Sequence, residues 1–238
     1  MESQGTIIIP QRGFTELTLS CIGSLRKSDT REWPIIVVSD GCPCPERDRL
    51  NREFSNDSSV TVLNRVHAGV TVSWNAGISC AESEYVVLLN NDTECSGKWG
   101  ESLLRPLGEN RSWISGVRTR IEPELRRLPG CRGLEGRIFE GWCLAFSKRS
   151  WETLEGFDES LKLYWSDTDF QLRGAMRFGG WKWLEEGLVE EIPVLHLGHR
   201  TAHSEELRVE SRSAWGSDRR AFRRKWRRIL QASKMPIE

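Results

Sequence analysis

Long apolar runs are missing from this chain. Stretches such as Tyr85–Leu89 end after a few residues, too short to cross a bilayer. An excess of one charge is missing too: the 238 residues carry 34 Lys/Arg and 34 Asp/Glu, a formal net charge of zero. With 29% charged and 38% hydrophobic residues, the composition is that of a globular chain, not a disordered tail or a low-complexity array. No C-x-x-C pair occurs. The seven cysteines (Cys21, Cys42, Cys44, Cys80, Cys95, Cys131 and Cys143) are scattered, and the C-P-C-P stretch at Cys42 and Cys44 has no second pair nearby. A tetrahedral zinc site therefore cannot be assembled, and reduced thiols are expected. No basic-then-apolar leader precedes the strand-like Thr6–Pro10. Together these absences predict a soluble, cytoplasmic chain.

Three fingerprints are absent as well. No G-x-G-x-x-G follows the first strand-like run, no G-x-x-x-x-G-K-[ST] occurs, and no G-x-S-x-G offers a nucleophile for acyl transfer. A nucleotide, if bound, must be held by another scheme. The neutral total also hides an asymmetry. Residues 205–238 hold 10 Lys/Arg against 5 Asp/Glu, which leaves a slightly acidic body with a basic tail.

What is present alternates. Thr6–Pro10 and Pro34–Val38 are β-branched runs typical of strands buried on both faces, and Val60–Leu63 and Tyr85–Leu89 are shorter strands. Between them, Phe14–Leu25, Glu46–Phe54 and Val70–Ala81 have helical character. Strand and helix at this spacing predict an α/β fold with a mostly parallel central sheet and flanking helices. The second half is less regular. Trp99–Leu107, Arg149–Leu154 and Ser166–Phe178 read as helices. Trp113–Val117, Phe139–Ser147, Trp181–Leu184 and Val189–Leu197 read as strands. Glu122–Gly136, rich in Arg, Gly and Pro, reads as a mobile loop. From Ser217 on, Phe222, Trp226, Ile229 and Leu230 make one apolar face among arginines, an amphipathic helix.

In an open parallel sheet, ligands bind beyond the carboxyl ends of the strands. Three polar clusters fall there: Pro10-Gln11-Arg12, Ser39-Asp40-Gly41 and Asn90-Asn91-Asp92. An Asp before a Gly is also an ordinary turn residue. Three clusters at one edge nevertheless predict a shared pocket.

Six segments now stand in order: TIIIP (Thr6–Pro10), IIVVSDG (Ile35–Gly41), HAGVTVSWNAGI (His67–Ile78), YVVLLNNDTE (Tyr85–Glu94), GFDESLKLYWSDTDFQLR (Gly156–Arg173) and VLHLGHRTAHS (Val194–Ser204). In this the chain resembles family 2 glycosyltransferases of the GT-A fold. The resemblance implies a catalytic domain over residues 1–204, with a Rossmann-like donor-nucleotide half (about 1–95) and an acceptor half (96–204), followed by the basic helical tail, 205–238. It implies transfer of a sugar from a nucleoside-diphosphate sugar to an acceptor hydroxyl with inversion. A divalent cation, Mn²⁺ or Mg²⁺, would neutralise the leaving diphosphate, and a carboxylate would take the acceptor proton.

Residue by residue, the family's D-x-D motif falls on Asn90-Asn91-Asp92. That makes Asp92 the metal carboxylate, with Asn90 replacing an acid, and His196 the late His that completes the metal site or meets the diphosphate; His199 and His203 compete with it. The acidic pair falls on Ser166-Asp167, so Asp167 is the expected base, while Asp169 points off that face and is expected to be structural. Pro10, Gln11, Arg12, Asp40, His67, Gly69, Asn75 and Asn91 are expected on the donor side. Arg118 and Arg120 are expected near phosphate or at the surface. Trp165 and Trp142 are candidate acceptor platforms, core packing being the ordinary alternative. The acceptor itself is open: a glycan, a lipid-linked molecule, or modified bases in DNA held by the basic tail, which can equally meet an anionic polymer or membrane surface. Asn90 and Ser166 leave room for another class, a nucleotide-sugar-binding module without turnover. A nucleotidyltransferase would carry a longer Gly-rich basic loop than Gln11-Arg12-Gly13.

Overall fold

The computed structural model describes residues 5–117, 119–120, 122–128, 131, 137–180, 182–198 and 208–233. Arg118, His199 and His203 lie outside them. The first half runs β1 (Gly5–Gln11), α1 (Thr15–Leu25), β2 (Ile35–Asp40), α2 (Cys44–Glu53), β3 (Val60–Arg65), α3 (Val70–Cys80), β4 (Tyr85–Leu89), β5 (Thr93–Cys95) and α4 (Trp99–Gly108). It continues with β6 (Ile114–Gly116), β7 (Thr119–Arg120), β8 (Ile138–Phe139), β9 (Cys143–Ser147), α5 (Lys148–Thr153), α6 (Ser166–Phe178), α7 (Lys182–Gly187), β10 (Val194–His196) and α8 (Arg208–Ser233).

The main sheet has the order β3-β2-β1-β4-β9-β6. β1 pairs in parallel with β2 and β4, β2 pairs in parallel with β3, and β9 runs antiparallel between β4 and β6. The predicted α/β class and mostly parallel sheet are what is observed. The physical reason is visible in the strands. Ile8, Ile36, Val38, Val86 and Leu88 point into one apolar layer; Ile7, Ile9, Ile35, Val37, Val87 and Leu89 point into the other. Each such buried side chain contributes roughly 1.5–3 kcal/mol. No helix among the described residues is long and apolar enough to cross a membrane.

The second half departs from expectation in four places. Of Trp181–Leu184, expected as a strand, Trp181 lies outside the described residues and the rest opens the helix Lys182–Gly187; four residues of alternation cannot set a period, and Lys, Leu and Glu favour a helix. Phe139–Ser147, expected as one strand, is two, separated at Glu140-Gly141-Trp142. Val189–Leu197 keeps only Val194–His196 as a strand, paired antiparallel with β5, and Pro193 before it has no N–H to donate. In Glu122–Gly136 the described part is not a solvated loop. It carries a 3₁₀ turn at Leu125–Arg127, and Glu122, Glu124, Leu125 and Leu128 are buried.

The tail helix begins earlier than its apolar face suggested. Phe222, Trp226 and Leu230 enter the same apolar layer as Ile8 and Leu88. Buried Asp218 accepts the backbone N–H groups of Leu163 (2.9 Å) and Tyr164 (3.0 Å), tying α8 to the segment before α6.

Candidate active site

Parallel pairing of β2-β1-β4 brings the three polar clusters to one edge, as expected. A cavity of about 690 Å³ opens there, lined by Pro10, Gln11, Arg12, Asp40, His67, Gly69, Asn90, Asn91 and Asp92. Its far wall is α8 (Glu210, Ser213, Ser217 and Arg224) together with Lys162 and Leu163. Buried Gln11 gives its Nε2 to Thr15 Oγ1 at 2.9 Å, while its Oε1 has no hydrogen-bond partner among the described residues. An orphaned buried acceptor on a residue that lines a cavity is suited to a ligand N–H.

Asp40 is less available than the sequence suggested. Its oxygens accept Ala68 N–H (2.8 Å) and Gly69 N–H (3.1 Å), and His67 Nδ1 lies 2.8 Å from Oδ2. Its role is to hold the 67–69 turn against the end of β2. The other imidazole nitrogen, Nε2, meets Glu210 Oε1 at 2.7 Å, and Glu210 also pairs with Arg12 at 2.5 Å. A helix-borne carboxylate thus bridges two donor-side residues. Burial raises the Glu210 carboxyl, but its hydrogen bonds and ion pairs to Arg12 and His67 win, and its pKa lies below the usual carboxylate value. Gly69 has φ +105°, and a Cβ there would sit 2.6 Å from the Lys162 carbonyl oxygen. The close approach expected at Gly69 is that of the chain's own backbone.

Two expected donor residues are engaged by the chain itself. Asn75 gives Nδ2 to Phe157 O and Glu159 Oε1, both at 2.9 Å, and its Oδ1 accepts Trp151 Nε1 (3.1 Å) and Phe157 N–H (2.9 Å). It pins the 151–159 turn to α3 and does not line the cavity. Asn91, at the cavity edge, gives Nδ2 to Thr18 Oγ1 at 3.2 Å and anchors the end of β4 to α1.

The expected metal residues converge. His196 Nε2 lies 3.2 Å from Asp92 Oδ1, although 104 residues apart in sequence, because β10 pairs with β5. Neighbouring ligands of an octahedral ion with bonds of about 2.1 Å are about 3 Å apart, so this pair fits one cation. Asn90 lines the same cavity with an amide oxygen to offer. No cluster of three or more His, Cys, Asp or Glu able to hold a metal occurs among the described residues. The donor set therefore suits an ion that shares its coordination with substrate phosphate, as Mg²⁺ commonly does. Trp142 stacks on His196 (4.6 Å between centroids, 11° between planes), and its indole N–H bonds Glu140 Oε2 at 3.0 Å. Only 6% exposed, Trp142 orients the imidazole and presents no platform to an acceptor.

A second cavity, of about 520 Å³, adjoins the first at Leu163 and is lined by Trp74, Arg120, Glu122, Glu124, Trp165, Asp167, Trp215 and Arg219. Asp167 stands in the first turn of α6. It accepts two guanidinium nitrogens of Arg120 at 3.1 Å each, Gly141 N–H at 3.0 Å and Thr168 N–H at 2.7 Å. Arg120, expected near phosphate or at the surface, is instead the counter-ion of Asp167 and reaches Glu122 at 3.4 Å. Burial pushes the Glu122 carboxyl up to about 7; Arg120 opposes this and the nearby Asp167 charge adds to it. Glu122 escaped the sequence reading because its segment has no periodicity. Trp165 is 3% exposed, at φ +72°, and packs on Phe222 and Trp215, so only an edge borders the cavity. Asp169 is structural, as expected: fully buried, it pairs with Arg173 (2.8 Å) and Lys225 (2.8 Å) and accepts Trp226 Nε1 (2.9 Å).

Comparison with known proteins agrees with this fold. Residues 6–178 match the profile of glycosyl transferase family 2, and the chain belongs to that family. A curated relative, "Uncharacterized glycosyltransferase EpsJ" of Bacillus subtilis (strain 168), is 24% identical over 129 residues, 50% of this chain and 38% of its own. Among solved structures, the mannosyltransferase PcManGT from Pyrobaculum calidifontis, in complex with GDP-Man and Mn²⁺, superposes with TM-score 0.58 at 15% identity, covering 81% of this chain and 55% of that one. S. aureus TarS residues 1–349 in complex with UDP gives TM-score 0.55 at 16% identity, over 72% of this chain and 54% of that one. The chain thus spans little more than half of these structures, and they establish the fold.

Proposed function

We propose that the protein transfers a sugar from a nucleoside diphosphate to an acceptor hydroxyl with inversion. The observation that carries this is two cavities that share Leu163, one lined by Asp92, which His196 meets from behind at 3.2 Å, and the other by Asp167. The acceptor oxygen attacks the anomeric carbon. The bond from that carbon to the diphosphate oxygen breaks, and the diphosphate leaves with the electron pair. The acceptor proton passes to a carboxylate of the second cavity. A divalent cation, when bound, supplies positive charge at the leaving diphosphate. Asp92, His196 and Asn90 would hold it, Arg12, which lines the same cavity as Asp92, would meet the phosphates, and Gln11 Oε1, which has no partner among the described residues, would accept a base N–H. PcManGT and TarS were solved with GDP-Man and UDP respectively, so guanosine and uridine donors are the first to test.

Asp167 is the first candidate for the proton acceptor, on its place beside the junction. Glu122 is a second reading, favoured by one observation: its pKa, about 7, matches the task, whereas Asp167 is tied to Arg120. The test is nucleoside diphosphate release from UDP- and GDP-sugars with Mn²⁺, with and without chelator, in the unaltered protein, Asp167→Asn and Glu122→Gln. Full activity in Asp167→Asn would remove that residue as base. Tight donor binding without turnover under every condition would favour a binding module instead.

A further inference from the structure

We propose that Trp215 is the platform on which a pyranose ring of the acceptor stacks, which makes the acceptor an uncharged glycoside. This rests on the sugar-transfer reading and names the substrate class of its second cavity. Trp215 lies on α8 and is 48% exposed, although it lines the same cavity as Asp167 and Glu122. Its ring is fixed from behind. Tyr164 meets it edge-on at 5.0 Å and 77°, Trp165 packs at 5.2 Å and 50°, and Tyr164 Oη hydrogen-bonds Ser211 one turn earlier on the same helix. A large aromatic face that is both open and held is prepared for a ligand, because little side-chain freedom remains to be lost on binding. Its complement is a flat ring with C–H groups on one face and hydroxyls at its edge. The apolar face lies on the indole, and the hydroxyls reach the carboxylates beyond it.

The charges around the cavity argue against a polyanion. Its lining sets three carboxylates, Glu122, Glu124 and Asp167, against three arginines, Arg120, Arg127 and Arg219, that pair with them, so it offers no excess of positive charge. The cations of α8 nearest to it are already engaged: Arg219 and Arg223 pair with Glu124, and Lys225 pairs with Asp158 and Asp169. A phosphodiester chain would have to break those ion pairs to find a cation in the cavity. A volume of about 520 Å³ suits a small molecule such as one or two sugar rings, and not a duplex.

The test is fluorine NMR of the full chain labelled with fluorotryptophan. It is titrated separately with methyl β-glucopyranoside, methyl β-galactopyranoside, methyl α-mannopyranoside, diacetylchitobiose and a short DNA duplex. The Trp215 resonance is the one missing from Trp215→Phe. At least one glycoside is expected to shift it, and that glycoside's apparent affinity should fall about tenfold in Trp215→Ala. The proposal is overturned if no glycoside moves this resonance, if the duplex moves it and the glycosides do not, or if affinity in Trp215→Ala is unchanged. Nucleoside diphosphate release from UDP- and GDP-sugars by the unaltered protein is scored separately. Its absence sinks the sugar-transfer reading, while the titration still decides whether Trp215 binds a pyranoside.

Discussion

Arg120 meets Asp167 with both terminal guanidinium nitrogens, each 3.1 Å from a different carboxylate oxygen. The pair joins β7, at the edge of a small second sheet, to the first turn of α6. It fixes the carboxylate's orientation beside the second cavity. Replacing Arg120 by Met leaves a buried carboxylate without its counter-ion. A loss of about 1–3 kcal/mol is expected, read as a lower urea midpoint. Adding Asp167→Asn to Arg120→Met should recover part of that stability, because the uncompensated charge goes with it. No loss in the single variant, or no recovery in the double, would contradict the pairing.

Glu122 predicts a pH dependence whose sign can be worked out. Its carboxyl titrates near 7 in the fold against an ordinary value of 4.5, because burial disfavours the charged form. Between these values the folded state holds the proton more tightly than the unfolded state. Its stabilising contribution is therefore full below pH 4.5 and is lost as pH rises to about 7, by on the order of 3 kcal/mol. Glu122→Gln should abolish this slope in urea midpoints measured across that window. If Glu122 is also the proton acceptor, kcat/KM rises through about pH 7 and the limb disappears in the same variant.

The first half of the chain was legible in the sequence and the second half poorly so, for physical reasons. Ile7, Ile8 and Ile9 are buried on both faces of a parallel sheet, so their strand is written in one continuous run. The Asn90–Asp92 cluster follows another such run. Asp92 and His196 were recognisable by order along the chain, although only the β5–β10 pairing joins them. Asn75 had the right residue type in the right segment, but its four hydrogen bonds go to a turn more than 75 residues away. Nothing local to α3 shows that. Glu122 gains its character only from Arg120 and Asp167. In α8 the apolar stripe was legible, but not the surface it meets, so Glu210 reaching Arg12 and His67 could not be foreseen.

The tail makes a stability prediction. Fully buried Trp226 packs among apolar side chains and donates its indole N–H to Asp169. Trp226→Ala should cost about 3–5 kcal/mol. Deleting residues 208–238 should yield a chain that exposes Trp165, which loses Phe222 and Trp215, and collects in the insoluble fraction. A soluble truncated chain with an unchanged melting temperature would show that the helix is an appendage. Duplex DNA retention that vanished on this deletion without loss of folding would revive the polyanion reading of the tail.

The Asp92–His196 pair predicts the metal behaviour. With one carboxylate, one imidazole and an amide in reach, the free protein should bind Mn²⁺ weakly, and UDP or GDP should strengthen that binding by supplying phosphate oxygens. In thermal shift, Mn²⁺ or nucleotide alone should raise the melting temperature little, and the two together should raise it by more than the sum. Asn90→Asp adds a charge at the same cavity edge and should raise Mn²⁺ affinity without nucleotide, about tenfold if the new carboxylate reaches the ion. Asp92→Ala should remove the cooperative shift altogether. His196→Ala should weaken it, and Trp142→Ala should weaken it less, because there the imidazole remains but loses the ring that orients it. Equal shifts in Asp92→Ala and the unaltered protein would place the cation elsewhere.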